Sequence, residues 1–373
     1  MAVTFITIPD AYSPSDNPLN FIFSSTQTAQ ANFYFKVETV LNGSIVGEDI
    51  VFVETGTRAH FDCSPVVANL MPKPSVTSAL SSDTGLIKSL TLTVTEYYGT
   101  PATSQASASS TTINTFKASL SSEQWQDIDI SADYVNKKWL TDVPNLVNKV
   151  IRGADVICSM INTGAQILTI DFYDSSNALL DTYTVSNTHA YRQLNLSSDN
   201  LTTVYGGVDF NDVSYFEVSI PTSETLTFIY VDDYCYGINS ILWLNKYGTF
   251  DQYPIEHTVT EKTDIETRSY IKKYGSWSDL RYVFDYNSSG NIDFEKVLND
   301  GGNLITNYMT DTLQNWFVTA YESPQVYLYS PSGLMFRLSL KASSFNKKDG
   351  RFEDLIMEEM AYTKTMPRKS VGL

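Results

Sequence analysis

Cysteine and histidine are scarce in this chain. The three cysteines, Cys63, Cys158 and Cys235, are odd in number and far apart, and none belongs to a CxxC pair. That pattern speaks against a disulfide scaffold or a zinc ribbon. It leaves buried, reduced thiols as the expectation, in keeping with folding in a reducing cytoplasm. The three histidines, His60, His189 and His257, sit in separate segments. No HExxH, no G-x-S-x-G and no glycine-rich phosphate loop occurs, so zinc, nucleophilic and phosphoryl chemistry have no ready motif. No apolar run reaches the roughly 18 residues of a membrane span. Residues 1–25 lack the basic and apolar regions of a signal peptide. Neither a membrane partner nor a secretory route is expected.

Positive charge is also short. Lys and Arg number 25 against 42 Asp and Glu, for a net charge of −17. This balance argues against wrapping nucleic acid over a wide surface, and it suits a wall that repels phosphate. The basic residues that exist gather late, at Arg337, Lys341, Lys347, Lys348, Arg351, Lys364, Arg368 and Lys369. Such asymmetry suits the meeting of acidic and basic faces on neighbouring subunits, or a solvated tail.

What the chain has in quantity is aromatic: 24 Tyr and 19 Phe, with 13% aromatics in all. Tyr- and Thr-rich segments with short alternation favour β-sheet. The expected fold is mainly β. Tandem β-sandwiches, immunoglobulin-like or jelly-roll-like, precede a C-terminal mixed α+β docking region. Residues 1–98 make the first sandwich, with strands at Phe33–Leu41 and Leu90–Tyr97 and a hairpin turn at Asn42-Gly43. Residues 99–115, rich in Ser, Thr and Ala, read as a linker or long loop. Residues 116–257 make the second sandwich. Its strands Ile167–Tyr173 and Leu179–Val185 join across Asp174-Ser175-Ser176-Asn177, Val213–Ile220 pairs with Leu226–Val231, and Trp125 and Trp139 anchor core edges.

Residues 258–373 are more charged. Leu304, Ile305, Tyr308, Met309, Leu313, Trp316 and Phe317 recur at helical steps. They predict an amphipathic helix that starts near Gly301-Gly302-Asn303, stops at Ser323-Pro324 and turns its apolar stripe to its own sheet. Val326–Tyr329 and Leu334–Lys341 form a hairpin. Phe352–Tyr362 fits a helix or a strand.

Two carboxylate features could carry chemistry. Asp232-Asp233 and Asp251 would need facing partners across a cleft to act as a glycosidase pair. Asp285, Asn287, Ser289, Gly290, Ile292 and Asp293 match the first positions of a calcium loop, but Lys296 stands where the closing Glu belongs and Glu295 arrives one residue early. An Asn-Ser-Ser-Gly turn is the simpler reading. No residue is assigned a catalytic, cofactor-binding or metal role, no cofactor is expected, and the chain does not read as an enzyme.

The stretch Ile241–His257, ILWLNKYGTFDQYPIEH, is the organising feature. It packs Trp243, Tyr247, Phe250 and Tyr253 around Gly248 and Pro254. Gly248 invites a turn or bulge, and Trp243 and Phe250 would pin it to the core. With Cys235 ahead of it, the spacing of Leu242, Leu244, Asn245, Gly248 and Asp251 resembles a block in virion proteins of tailed phages of Bacteroidetes, crAss-like phages among them. Thr249 replaces a second glycine common there. KWLTDVP (Lys138–Pro144), ESPQVYLY (Glu322–Tyr329), SSFNKKDGRF (Ser343–Phe352) and the opening Ser13–Ser25 are similar too. The resemblance implies a structural subunit of the neck or tail, in an oligomeric ring around the DNA channel. The implied partners are further copies, other neck and tail proteins, and genome DNA passing without sequence-specific binding. The implied location is the virion, assembled in the host cytoplasm. A receptor- or carbohydrate-binding tail protein is the alternative.

Overall fold

Alternation decides most of the local structure. In Tyr34–Leu41, Phe35, Val37, Thr39 and Leu41 are buried while the residues between them are half-buried, the two-residue period of a strand with one face on a core. The computed structural model describes residues 3–54, 56–75, 81–82, 85–164, 166–187, 191–220, 224–231, 239–255, 259–273, 275–278, 280–284, 290–329, 335–340, 358–366 and 368–371. Backbone contacts divide the chain into two units. The first is Met1–Asn148, Asp155–Tyr230 and Leu244–Asp251, and the second is Lys149–Ala154, Val231–Trp243 and Gln252–Leu373.

In the first unit, β1 (Val3–Thr7), β3 (Asn20–Ser25) and β6 (Arg58–Asp62) form a three-stranded antiparallel sheet in that order. A second sheet runs β2 (Tyr12–Pro14), β10 (Ile113–Phe116), β8 (Ile87–Gly99), β4 (Tyr34–Leu41), β5 (Ser44–Val51), with β9 (Ala102–Ser109) also on β8. The β2–β10 pair is parallel. Phe21, Phe23, Phe35, Val37, Leu90, Leu92 and Val94 share one apolar cluster with Val67 of α1 (Ser64–Leu70). A five-stranded sheet, whose residues after Asn148 in its first strand and Val231 in its second are counted with the second unit, runs β11 (Val147–Ile151), β17 (Thr225–Val231), β16 (Tyr215–Ser219), β13 (Gln166–Tyr173), β14 (Leu179–Asn187). A small one runs β12 (Ile157–Ile161), β15 (Tyr191–Asn195), β7 (Ser81–Ser82). The short helices α2 (Ser122–Asp127), α3 (Ile130–Asp133) and α4 (Ser198–Val204) are each capped by a side chain, from Ser121, Asp129 and Ser197.

The second unit supplies all but Leu244, Phe250 and Asp251 of a sheet in the order β19 (Phe250–Ile255), β18 (Asn239–Leu244), β24 (Val326–Tyr329), β25 (Met335–Leu340), β26 (Glu359–Lys364), β23 (Gly290–Ile305), β20 (Val259–Lys272), with β27 (Arg368–Val371) also on β23. β21 (Gly275–Ser278) and β22 (Arg281–Phe284) make a separate hairpin. Helices α5 (Asp311–Phe317) and α6 (Thr319–Glu322) follow β23.

The hairpins expected at Asn42-Gly43 and Asp174–Asn177 are present, with Asn42 and Gly43 both at positive φ. The tandem immunoglobulin-like or jelly-roll-like sandwiches are not. Among the described residues the sheets are open and mixed with helices, and none closes into a barrel or sandwich topology. Alternation fixes a strand and its buried face, but sheet order depends on which distant strands pair.

The expected linker at 99–115 is also overturned. Its small hydroxyl side chains bond across the ladder as β9 pairs with β8, Thr93 to Ser109 at 3.0 Å and Thr95 to Ser107 at 3.1 Å. The helix expected from Gly301 begins instead at Asp311, where the Thr310 side chain accepts from Leu313 N–H. Leu304 and Ile305 belong to β23. Gly301 and Gly302 are there for close approach. A Cβ on Gly302 would lie 1.6 Å from the Thr260 carbonyl oxygen, and one on Gly301 would lie 2.4 Å from that of Tyr362. The helical stop before Ser323 is as expected, and so is the stripe's direction. Trp316 and Phe317 pack on Trp243 and Tyr253 of their own sheet. The ambiguous segment ending at Tyr362 finishes as strand β26.

Candidate functional site

The turn Leu244–Asp251 folds around the side chain of Asn245. Asn245 Nδ2 donates to the Leu140 carbonyl at 2.9 Å and to Asp251 Oδ1 at 3.1 Å. Its Oδ1 accepts from the N–H groups of Tyr247 (3.0 Å) and Thr249 (3.3 Å). The backbone closes the same loop, Asn245 N–H to Thr249 at 2.7 Å and Gly248 N–H to Asn245 at 3.0 Å. Asn is suited to this place because one amide supplies both donors and acceptor. Gly248 takes φ +76°, and a Cβ there would sit 1.6 Å from the Lys117 carbonyl oxygen. The glycine is therefore required twice, by conformation and by space.

The turn docks on the Lys138–Pro144 segment. Thr141 Oγ1 donates to Asp251 Oδ1 at 2.7 Å. Tyr247 OH donates to Asp142 Oδ1 at 2.9 Å and meets Tyr134 OH at 2.6 Å. Lys246 pairs with the other Asp142 oxygen and lies over the Tyr247 ring. Burial, then the Asp142 charge, push the Tyr247 phenol far above its ordinary range. Burial raises that of Tyr134 as well.

A third segment joins them. Ser119 N–H donates to the Lys246 carbonyl at 2.9 Å. From the opposite direction, Asn17 exchanges two 2.8 Å bonds with the Leu120 backbone, and Ser15 and Asp16 N–H groups donate to Phe116 and Ala118. Lys117 pairs with Asp16 at 2.5 Å. Below them Phe116, Ala118, Leu120, Ile130, Val135, Leu140, Ile161 and Tyr247 form one apolar cluster. Parts of the opening motif, the Lys138–Pro144 motif and the Asn245–Asp251 block thus converge on Phe116–Leu120. That last segment carried no signal of its own in the sequence. Glu322–Tyr329, in the second unit, contributes β24, which pairs with Ser240–Trp243 directly ahead of the block. Trp243 Nε1 donates to Thr319 Oγ1 at 2.9 Å.

The arrangement is a latch rather than a cleft. Asp251 is 4% exposed, and its carboxylate is engaged by Thr141 and Asn245, which offset the cost of burying it. The cavity beside it, lined in part by Thr141, Ser159, Thr249 and Asp251, is water-sized and admits no substrate. Cys63 and Cys158 are both buried, and burial pushes the Cys63 thiol up to about 12. Trp139 is buried, its indole N–H donating to the Glu224 carbonyl. His60 is exposed beside Asn20.

Asp232, Asp233, Cys235, His189, His257, Asp285, Asn287, Ser289, Lys341, Lys347, Lys348, Arg351 and Ser343–Phe352 lie outside the described residues. Gly290, Ile292, Asp293 and Lys296 lie along β23, so the second half of the supposed calcium loop is strand. No group of three or more His, Cys, Asp or Glu that could hold a metal occurs among the described residues, and no described helix is long and apolar enough to cross a membrane. No family model matches the chain, and no curated protein matches it.

Proposed function

We propose that the chain is a structural subunit of a bacteriophage virion, forming with further copies an oligomeric ring in the neck or tail around the DNA channel. The observation that carries this reading is the latch. Parts of three of the segments behind the phage resemblance, the opening motif, Lys138–Pro144 and Asn245–Asp251, meet in one place although distant in sequence, and most of their polar groups there hold backbone or one another. Residues whose work is to fix shape suit an assembly protein whose mechanism is conduit formation, not turnover. The acidic balance supports a lumen that genome DNA slides past, since like charge keeps phosphate from adhering. Other neck and tail proteins are the natural neighbours, and the virion is the location.

Electron microscopy of the purified chain, alone and mixed with products of adjacent genes, tests this. Closed rings are the expected outcome. Inert monomers in every mixture would overturn it. One feature favours the alternative, a receptor- or carbohydrate-binding tail protein. Trp277 is 75% exposed on its hairpin, with Tyr282 beside it at 5.8 Å, and exposed aromatics stack on sugars. Glycan-array binding lost in Trp277→Ala would favour that reading, and an array without binding would remove it.

A further inference from the structure

β20 is the end strand of its sheet, and every described side chain from Thr260 to Lys273 is exposed. Among the described residues no strand pairs with its outer edge. A bare edge of 14 residues is a template for another strand. Ile265, 61% exposed, and Ile271, 75% exposed, are six positions apart and share one face. Charges along the strand are polarised. Glu261, Asp264 and Glu266 lie in its first half, and Arg268 and Lys272 in its second with Lys273 just beyond its end, Lys262 being the exception.

We propose that this edge pairs antiparallel with the same edge of a second copy of the chain. The strand's charge order identifies the occupant, because reversing the strand brings the basic end of one copy toward the acidic residues of the other, with Glu261 and Asp264 flanking the directly paired span. In the register that places Ser269 opposite itself, Glu266 faces Lys272 of the second copy and Arg268 faces Tyr270. No like charges are opposed between 265 and 273. The isoleucines of both copies line one face of the joined sheet. In the existing contacts of these side chains, Arg268 with Glu295 at 3.0 Å and Glu261 with Lys364 at 3.4 Å, the β20 partner is the exposed one and the other is half-buried, and pairs with an exposed member are held weakly. The contact rests on the self-assembling reading only in taking a second copy as partner. It is two-fold and closes at two chains, so it differs from the head-to-tail contact that closes a ring.

Two full-length variants test it, Glu261→Lys/Asp264→Lys/Glu266→Lys and Arg268→Glu/Lys272→Glu/Lys273→Glu, in analytical ultracentrifugation. Wild type is expected to pair. Each variant alone should pair at least about tenfold more weakly, and an equimolar mixture of the two should recover pairing. In a Cys235→Ser background, Ser269→Cys should cross-link to a dimer under mild oxidation. Variants that pair like wild type, a mixture no better than its components, or a monomeric wild type would each overturn the proposal. A monomeric wild type that instead takes up a strand peptide on this edge overturns it in favour of another protein. Paired chains without rings would sink the ring reading and leave this one standing, and rings without β20 pairing would do the reverse.

Discussion

Gly248 has the least room for change of any residue in the latch. Gly248→Val puts a branched side chain at φ +76° and into the Lys117 carbonyl. The backbone term alone costs about 1–2 kcal/mol, and the overlap adds more. The variant is expected to lose its cooperative melt or accumulate insoluble, judged by calorimetry and soluble yield. Asn245→Asp keeps the acceptor but turns two donors into a carboxylate beside Asp251. A loss of about 2–4 kcal/mol is expected in urea denaturation. Tyr247 gives a pH signature. Its phenol is raised in the folded chain, so above about pH 10 the unfolded chain loses a proton that the native one keeps. The unfolded state then binds fewer protons, and stability falls as pH rises. Tyr247→Phe should flatten that fall in melting curves across alkaline pH while losing about 1 kcal/mol at neutral pH. Gly248 was legible in sequence because glycine takes the positive φ of a turn cheaply, whereas Asn245 and Asp251 stood out only through the phage resemblance. So did the Lys138–Pro144 segment, but its pairing with the turn was not legible. A hydrogen bond spanning 105 residues leaves no periodic trace.

At the scale of elements, strands with one buried face were readable and their boundaries with Gly or Ser were not. The Ser/Thr/Ala run looked unburiable, yet a strand needs only a ladder and a tolerable surface, and β9 has both. Gly301-Gly302 looked like a helix start because glycine often marks an end. Here it marks crowding between three strands. Gly302→Val is therefore expected to prise β20 from β23, visible as lost hydrogen-exchange protection at Lys262 and Thr263 while β18 and β24 keep theirs. The true helix start lies at Thr310, whose side chain caps α5. Thr310→Ala should cost about 1 kcal/mol and lower the melting temperature without changing the assembly state.

For the whole molecule, the sequence conveyed a β-rich, acidic chain but not its sheet architecture. Local alternation is the same for a closed sandwich and an open sheet, and the difference lies in pairings such as parallel β2 with β10, set by contacts across about a hundred residues. The central block keeps its importance with a changed meaning. The sequence marks it as the organising feature at the end of a second sandwich, and it proves to be the piece that completes the first unit. That unit takes Leu244–Asp251 from a later part of the chain, after Val231–Trp243 has been given to the second. On the ribosome the N-terminal segments therefore emerge long before their last component does. Non-local closure of this kind is slow and leaves apolar surface waiting. A nascent chain stalled after Val231 should bind hydrophobic dye and chaperones, and one extended beyond Asp251 should bind far less. The latch makes the order of synthesis part of the folding problem.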